Sequence, residues 1–453
     1  MKPIRLALLV SSCAVLASSA AHAAAALAAP KPVPSGAVQA FTLKNGLRAL
    51  LMPDPRATAV DVSVWYPAGV RYERVGTRGI SHLFERLSSR GATPGGVDEV
   101  GRMIAAEGGT TAAYTSADFT CYTHTVPRGA LATALRLEAG RMTVRLTQAM
   151  LDQERAQVHE ELRARGPASP VERGLERLYA TAFKTHPYRW PVAGTDEDLD
   201  RITLRDCQDF LRARYAPDQA LVVIAGDFAA DQAAEELRRG FQSLPGRGQA
   251  VTVAPEPEPT AERRAVATGD APVPLLIVGW RLPAGAAADA PALDLISTLL
   301  SRGASARLGP KASGGDRPGL FAQTGRDSRR DATMFWAASA ARSLADTATV
   351  EHWLVGAIET LAAEPVSGEE LDRARRQLEV PLLLNRQRAR DRGQAAGVSQ
   401  MIGGDWNDDA HRLERVRTLT PADLQQAAAR TLNAARRAVV WMLPAGAGNG
   451  GRP

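Results

Sequence analysis

The 453-residue chain has three cysteines, only 5% aromatic residues and almost no lysine. Each scarcity excludes something. Cys13 falls in the N-terminal apolar stretch, which leaves Cys121 and Cys207. Two cysteines so far apart make no disulfide framework and read as separate thiols. Beyond the N-terminus no run is long and apolar enough to cross a bilayer as a helix, so no transmembrane segment is expected. The only lysines are Lys2, Lys31, Lys44, Lys184 and Lys311, and the net charge of +6 is carried by arginine. No basic stripe interleaves with aromatic residues, so nucleic acid is not an expected partner.

What is present begins with an export signal. Met1-Lys2-Pro3-Ile4-Arg5 precedes an apolar run from Leu6 to about Ala17, then small residues and an A-x-A signal at Ala21-His22-Ala23. Residues 1–23 read as a secretory signal peptide cleaved near Ala23. The expected destination is the periplasm if the source is a Gram-negative bacterium. Val10-Ser11-Ser12-Cys13 is a rival lipoprotein signal, with a short apolar run before it. A disordered leader is expected at 24–37. The remaining length predicts two domains, at 38–248 and 265–445. Pro255, Pro257 and Pro259 mark a linker at 249–264, and a disordered tail follows at 446–453.

Within the first domain, 41–51 reads as a hairpin around Asn45-Gly46. Residues 60–65 alternate as a half-buried strand does. Helical patterns follow at 97–107, 131–146, 148–165 and 171–183, with strands over 111–126. Thr203 reads as an N-cap and 221–225 as a buried strand. After the linker a strand at 274–282 and a helix at 290–301 restart a similar order.

The chemistry concentrates in Gly79-Ile80-Ser81-His82-Leu83-Phe84-Glu85-Arg86. His82, Glu85 and position 86 are spaced i, i+3 and i+4, so a helix puts them on one face. An inverted H-x-x-E-H zinc-peptidase helix uses two imidazoles as ligands and the glutamate as general base. Here Arg86 stands in the second imidazole's place. A guanidinium stays protonated and has no lone pair for a metal.

The stretch from Gly76 to Glu85 resembles the active-site helix of the pitrilysin/insulinase family of zinc metallopeptidases. Gln153-Glu154-Arg155-Ala156-Gln157-Val158-His159-Glu160-Glu161 is similar to that family's second helix. The match puts the carboxylate ligand at Glu161 and a supporting carboxylate at Glu154. His186-Pro187-Tyr188-Arg189, Gly194, Tyr215-Ala216-Pro217 and Gly226-Asp227 extend the likeness, which runs from about Phe41 to Pro444.

The resemblance implies an α+β fold: two similar domains of the pitrilysin/mitochondrial processing peptidase type arranged as a clamshell. It implies zinc as the family's cofactor, here absent or weakly held. His82 and Glu161 would be vestigial ligands and Glu85 the base of a degenerate site. Family members lay peptide against a sheet edge beside an Asn-Ala pair. In this chain Ala112 takes the asparagine position, followed by Ala113 and Tyr114. An Arg and a Tyr of the family's second domain fall on Gly315 and Ala322, with Arg317 placed to compensate and Phe321 adjacent.

Two readings of Arg86 stand. Its guanidinium takes the metal's charge and pairs with Glu85, Glu161 or both, or it reaches solvent over an open pocket. His159 is two residues before Glu161 and points away from it, and His124 sits on a distant strand, so neither replaces the ligand. Three functions are compatible with the sequence. The first is a peptide-binding, non-catalytic subunit beside an active paralogue with an intact H-x-x-E-H. The second is a zinc endopeptidase with a non-standard ligand set. The third is a structural or assembly protein using the same fold.

Overall fold

In the first half of the chain, β1 (Gln39–Thr42), β2 (Arg48–Pro53) and β3 (Val60–Tyr66) lead into α1 (Ile80–Gly91) and α2 (Glu99–Ala106). There follow β4 (Thr110–Thr115), β5 (Thr120–Val126), α3 (Leu131–Arg141), α4 (Gln148–Ala168), α5 (Pro170–Ala182), α6 (Asp196–Arg201) and α7 (Leu204–Arg214). β6 (Leu221–Gly226) and α8 (Ala230–Phe241) complete it. The second half runs β7 (Arg263–Thr268), β8 (Leu275–Arg281), α9 (Ala290–Ser301), β9 (Gln323–Ser328) and β10 (Thr333–Ala340). Then come α10 (Thr347–Ala363), α11 (Gly368–Asn385), α12 (Ala389–Gly403), α13 (Asp408–Thr418), α14 (Pro421–Thr431) and β11 (Arg437–Leu443).

The computed structural model describes residues 37–91, 99–168, 170–269, 271–283, 286–310 and 317–446. The expected signal peptide with Cys13, nearly all of the leader, Gly315 and the tail beyond 446 lie outside the described residues. Among the described residues no helix is long and apolar enough to cross a membrane.

The fold is α+β, with two mixed sheets. The first has strand order β1-β2-β6-β3-β5-β4 and the second β7-β11-β8-β10-β9. Apart from β1 the sheets correspond strand for strand. β2 lies parallel to β6 as β7 does to β11, and every other pairing is antiparallel. The Asn45-Gly46 hairpin forms, with Gly46 at φ +91 and the Asn45 side chain donating to Phe241 O at 2.7 Å. α9 spans the predicted residues, and Thr203 caps α7 in a reciprocal pair with Asp206.

One expectation is corrected. β3 is buried along its whole length, not half-buried. One face joins the first core, with Val62 and Val64 packed on Leu83 and Leu135. The other face carries Trp65, which α12 of the second half covers in a separate cluster with Ala396 and Met401. The second sheet is treated the same way: α5 of the first half lies on β8 and β11, with Leu178 and Phe183 against Ile277 and Val440. Each half therefore sends one helix onto the other's sheet. The described residues form one compact unit.

The 249–264 stretch is fastened to the first half through Glu256. Glu256, 8% exposed, accepts hydrogen bonds from the backbone N–H groups of Lys184 (2.6 Å), Thr185 (2.8 Å) and His186 (2.9 Å). Burial alone would raise this carboxyl, but the three amides outweigh it and hold Glu256 at about 2. The stretch also ends inside β7, which begins at Arg263.

Candidate functional site

α1 owes its place to what surrounds its first turn. Glu73 accepts from Gly79 N (2.8 Å) and Ser81 N (3.0 Å), satisfying two of the amides a helix start leaves unpaired. Gly79 is at φ +84, and a Cβ there would meet Ala193 O at 2.6 Å, so only glycine fits. Ile80, Leu83, Phe84 and Leu87 face the core at i, i+3, i+4 and i+7. That turns His82 and Arg86 toward α4, which packs beside α1, and Glu85 toward β4. On α4, Leu151 and Val158 are buried and Glu154 and Glu161 lie two turns apart on one face.

The two helices meet through these side chains. His82 Nε2 lies 3.0 Å from Glu161 Oε2. Arg86 donates from Nε to Glu154 Oε2 at 2.8 Å and from Nη1 to Glu161 Oε1 at 2.5 Å. Glu154 is 2% exposed at its side chain, Arg86 30% and Glu161 38%. The guanidinium thus forks between carboxylates, as one reading of the sequence expects, but its second partner is Glu154 and not Glu85. Glu85 instead accepts from Thr115 Oγ1 at 2.6 Å and sits 3.7 Å from His82 Nδ1. The physical reason is reach: Arg86 lies along α4, while Glu85 turns toward β4.

Burial alone would depress the His82 imidazole; hydrogen bonds and charge from Glu85 and Glu161 outweigh it and hold His82 above its ordinary value. The site sets an imidazole and a guanidinium beside three carboxyl side chains. A catalytic zinc site needs three protein donors, with any imidazole neutral. His82 and Glu161 supply two donors and Arg86 supplies a cation, so the residues present do not fit a catalytic zinc. Among the described residues no cluster of three or more His, Cys, Asp or Glu side chains is placed to hold a metal. His124 is bound to Glu138 at 2.8 Å, and His159 contacts Asp196 and Asp200, at 2.5 and 3.1 Å. Cys121 and Cys207 are separate buried thiols.

A cavity of about 610 Å³ opens beside His82 and Glu85. β4 forms one wall with Ala113, Tyr114 and Thr115, and its exposed residues include Ala112 at the free edge of the first sheet. The second half contributes Asp327, Arg329 and Trp336. Arg329 stacks 3.5 Å from the centre of the Tyr179 ring, and Tyr179 Oη donates to Asp327 at 2.6 Å. Arg317 and Phe321 are not among the residues lining this cavity. Arg317 bonds to Leu320 O within its own loop. Phe321 packs partly buried on the α5-covered face of the second sheet, and its carbonyl accepts from Ser339 Oγ at 2.7 Å. Ala322 packs against the second core.

Sequence reasoning missed what lies beneath α1. Arg141 pairs with fully buried Glu138 at 2.8 Å and covers the Tyr122 ring at 3.6 Å. Tyr122 Oη reaches Ser88 Oγ at 2.7 Å and Tyr215 Oη at 3.0 Å. Burial would raise Glu138, but Arg141 and His124 hold it down to about 2. A strand residue, an α3 pair and the residue that ends α7 share no local motif. Only the Glu138–Arg141 spacing of i, i+3 was available as a signal.

Comparison with known proteins agrees with this construction. Residues 48–196 match the family description "Insulinase (Peptidase family M16)" and residues 201–378 match "Peptidase M16 inactive domain". The chain is 29% identical over 341 residues to the zinc protease PqqE of Helicobacter pylori, covering 74% of this chain and 77% of that one. It is 27% identical over 205 residues to a probable mitochondrial-processing peptidase subunit beta of Arabidopsis thaliana, 45% of this chain and 38% of that one. The crystal structure of a protease from Helicobacter pylori superposes with a TM-score of 0.84 at 25% identity, covering 90% and 99% of the two chains. With two sheets of matching order, a His82-x-x-Glu85 helix packed on a Glu154/Glu161 helix, and both halves matched, the chain belongs to the M16 (insulinase/pitrilysin) peptidase family.

Proposed function

We propose that this chain is a non-catalytic M16 homologue that binds extended peptide and works beside an active paralogous subunit carrying an intact H-x-x-E-H, after export to the periplasm. The observation that carries this reading is the position of Arg86. Its guanidinium occupies the third-ligand position and is fixed by bonds to both Glu154 and Glu161. A cation held there opposes a second cation and leaves no water-activating centre. Peptide binding is supported by the free edge of β4, whose backbone can add a strand, and by the aromatic cavity beside it.

A second reading, a zinc endopeptidase with a non-standard ligand set, is favoured by the survival of His82, Glu85 and Glu161 and by relatives named as zinc proteases. Metal analysis of the dialysed protein separates the two. The proposal expects zinc well below one equivalent and no cleavage of unfolded protein by the chain alone, with both appearing when the paralogue is added. Arg86→His should raise zinc affinity by orders of magnitude by restoring the third donor. Stoichiometric zinc that survives dialysis and disappears in His82→Ala would overturn the proposal.

A further inference from the structure

A second cavity, of about 640 Å³, lies away from the His82 site, between the turn at 70–72, α7 and the 249–254 stretch. Its chemistry is unbalanced. Arg214 is 4% exposed, donates to Gln249 O, and stands over the Tyr72 ring at 5.2 Å. It makes no ion pair among the described residues, and burial pushes its guanidinium below the ordinary value, with the Arg71 charge adding to the effect. Arg71 faces the same ring at 5.0 Å but is committed to Asp331 at 2.6 and 3.0 Å. Arg74 lines the cavity, is exposed, and also makes no ion pair among the described residues.

The carboxylates of the same cavity are already engaged, Asp209 by an arginine of the same cavity wall. Glu73 takes the amides of Gly79 and Ser81, Asp206 caps α7 through Thr203, and Asp209 pairs with Arg212. A buried guanidinium without a counter-charge is costly in the empty protein. The cost is recovered when an oxyanion takes its free N–H groups in forked bonds, which the planar guanidinium fits better than any other side chain.

We infer that this cavity binds a small organic oxyanion, phosphate- or carboxylate-bearing, with its charge on Arg214 and Arg74 and its body against the Tyr72 ring. The site is separate from the His82 pocket and stands whether or not that pocket binds zinc.

Isothermal titration of the full exported chain with pyrophosphate and with citrate, at fixed ionic strength against a chloride control, tests it. One saturable site is expected for at least one anion, and which anion binds names the source of the charge. Arg214→Gln should weaken binding about tenfold or more, the loss of a charge-assisted bond. Arg74→Gln, at an exposed position that cannot unfold the chain, should weaken it severalfold, while Arg239→Gln on the distant face of α8 should not. Without anion, Arg214→Gln should melt no lower than the parent, because a buried uncompensated charge has gone. Binding no stronger than in the chloride control overturns the proposal. So does unchanged affinity in both Arg214→Gln and Arg74→Gln, and so does an Arg214→Gln variant that melts lower yet binds as tightly.

Discussion

The two halves of the molecule share a sheet and differ in the helix that follows its central strand. After β3 comes α1, whose outward face carries His82, Glu85 and Arg86 held by α4 carboxylates. After β8 comes α9, Ala-Pro-Ala-Leu-Asp-Leu-Ile-Ser-Thr-Leu-Leu-Ser, buried nearly all round. Its one charge, Asp294, is paired with Arg326 and Arg412 at 2.8 and 2.6 Å. One architecture thus serves as a site when a helix face is left polar and as pure core when it is not. The lesson is that the sheet fixes where a site can be, and only the helix face decides whether there is one.

The comparison predicts unequal sensitivities. Removing apolar volume from α9 should cost most: Leu293→Ala, at a fully buried position, is expected to lose about 2–5 kcal/mol in urea unfolding. A loss under about 1 kcal/mol would show that α9 is not packed as core.

On α1 the largest effect should come from charge. Arg86→Ala removes the guanidinium from Glu154, a carboxylate 2% exposed, and should cost about 2–3 kcal/mol. That is below the full cost of breaking a buried pair, because Arg86 and Glu161 are partly solvated. Adding Glu154→Gln should restore part of the loss, and additive effects in the double-mutant cycle would show Arg86 to be solvated.

Between the halves, Glu256 should make stability depend on acid. Its folded value of about 2 lies below the unfolded carboxylate value. The stabilisation is therefore present above about pH 4.3 and lost as pH falls toward 2, at most about 3 kcal/mol in all and reduced from that by solvent screening. Glu256→Gln should flatten the stability profile across that window, and an unchanged slope would refute the assignment.

The smallest effect should come from the crossing helices. A methyl at Gly397 of α12 would meet the Trp65 ring, and one at Gly174 of α5 would meet Ile277. Each Gly→Ala change should cost about 1–2 kcal/mol, the clash exceeding the helix-propensity gain. If only one destabilises, the two crossings are not equivalent, and the correspondence of the halves stops at the sheets.

Much of this was written locally. The Asn45-Gly46 hairpin, the Thr203 cap, the limits of α9 and the single face shared by His82, Glu85 and Arg86 follow from spacing and turn chemistry, which act over a few residues. The family and the missing third ligand followed from the same short stretches. What the tertiary structure alone decided depends on surfaces far apart in the chain. β3 alternates as a half-exposed strand and is buried on both faces only because α12, more than three hundred residues later, crosses it. Arg86 chose Glu154 over Glu85 because of how α4 lies along α1. Glu256 sits among linker prolines and becomes a fastening only where the amides of 184–186 converge on it. Arg71 and Arg214 lie far apart in the sequence and meet over the Tyr72 ring in the fold, with Arg74 on the same cavity wall. A sequence records which side chains are charged. Which charges meet, and which are left without a partner, is settled by burial and distance.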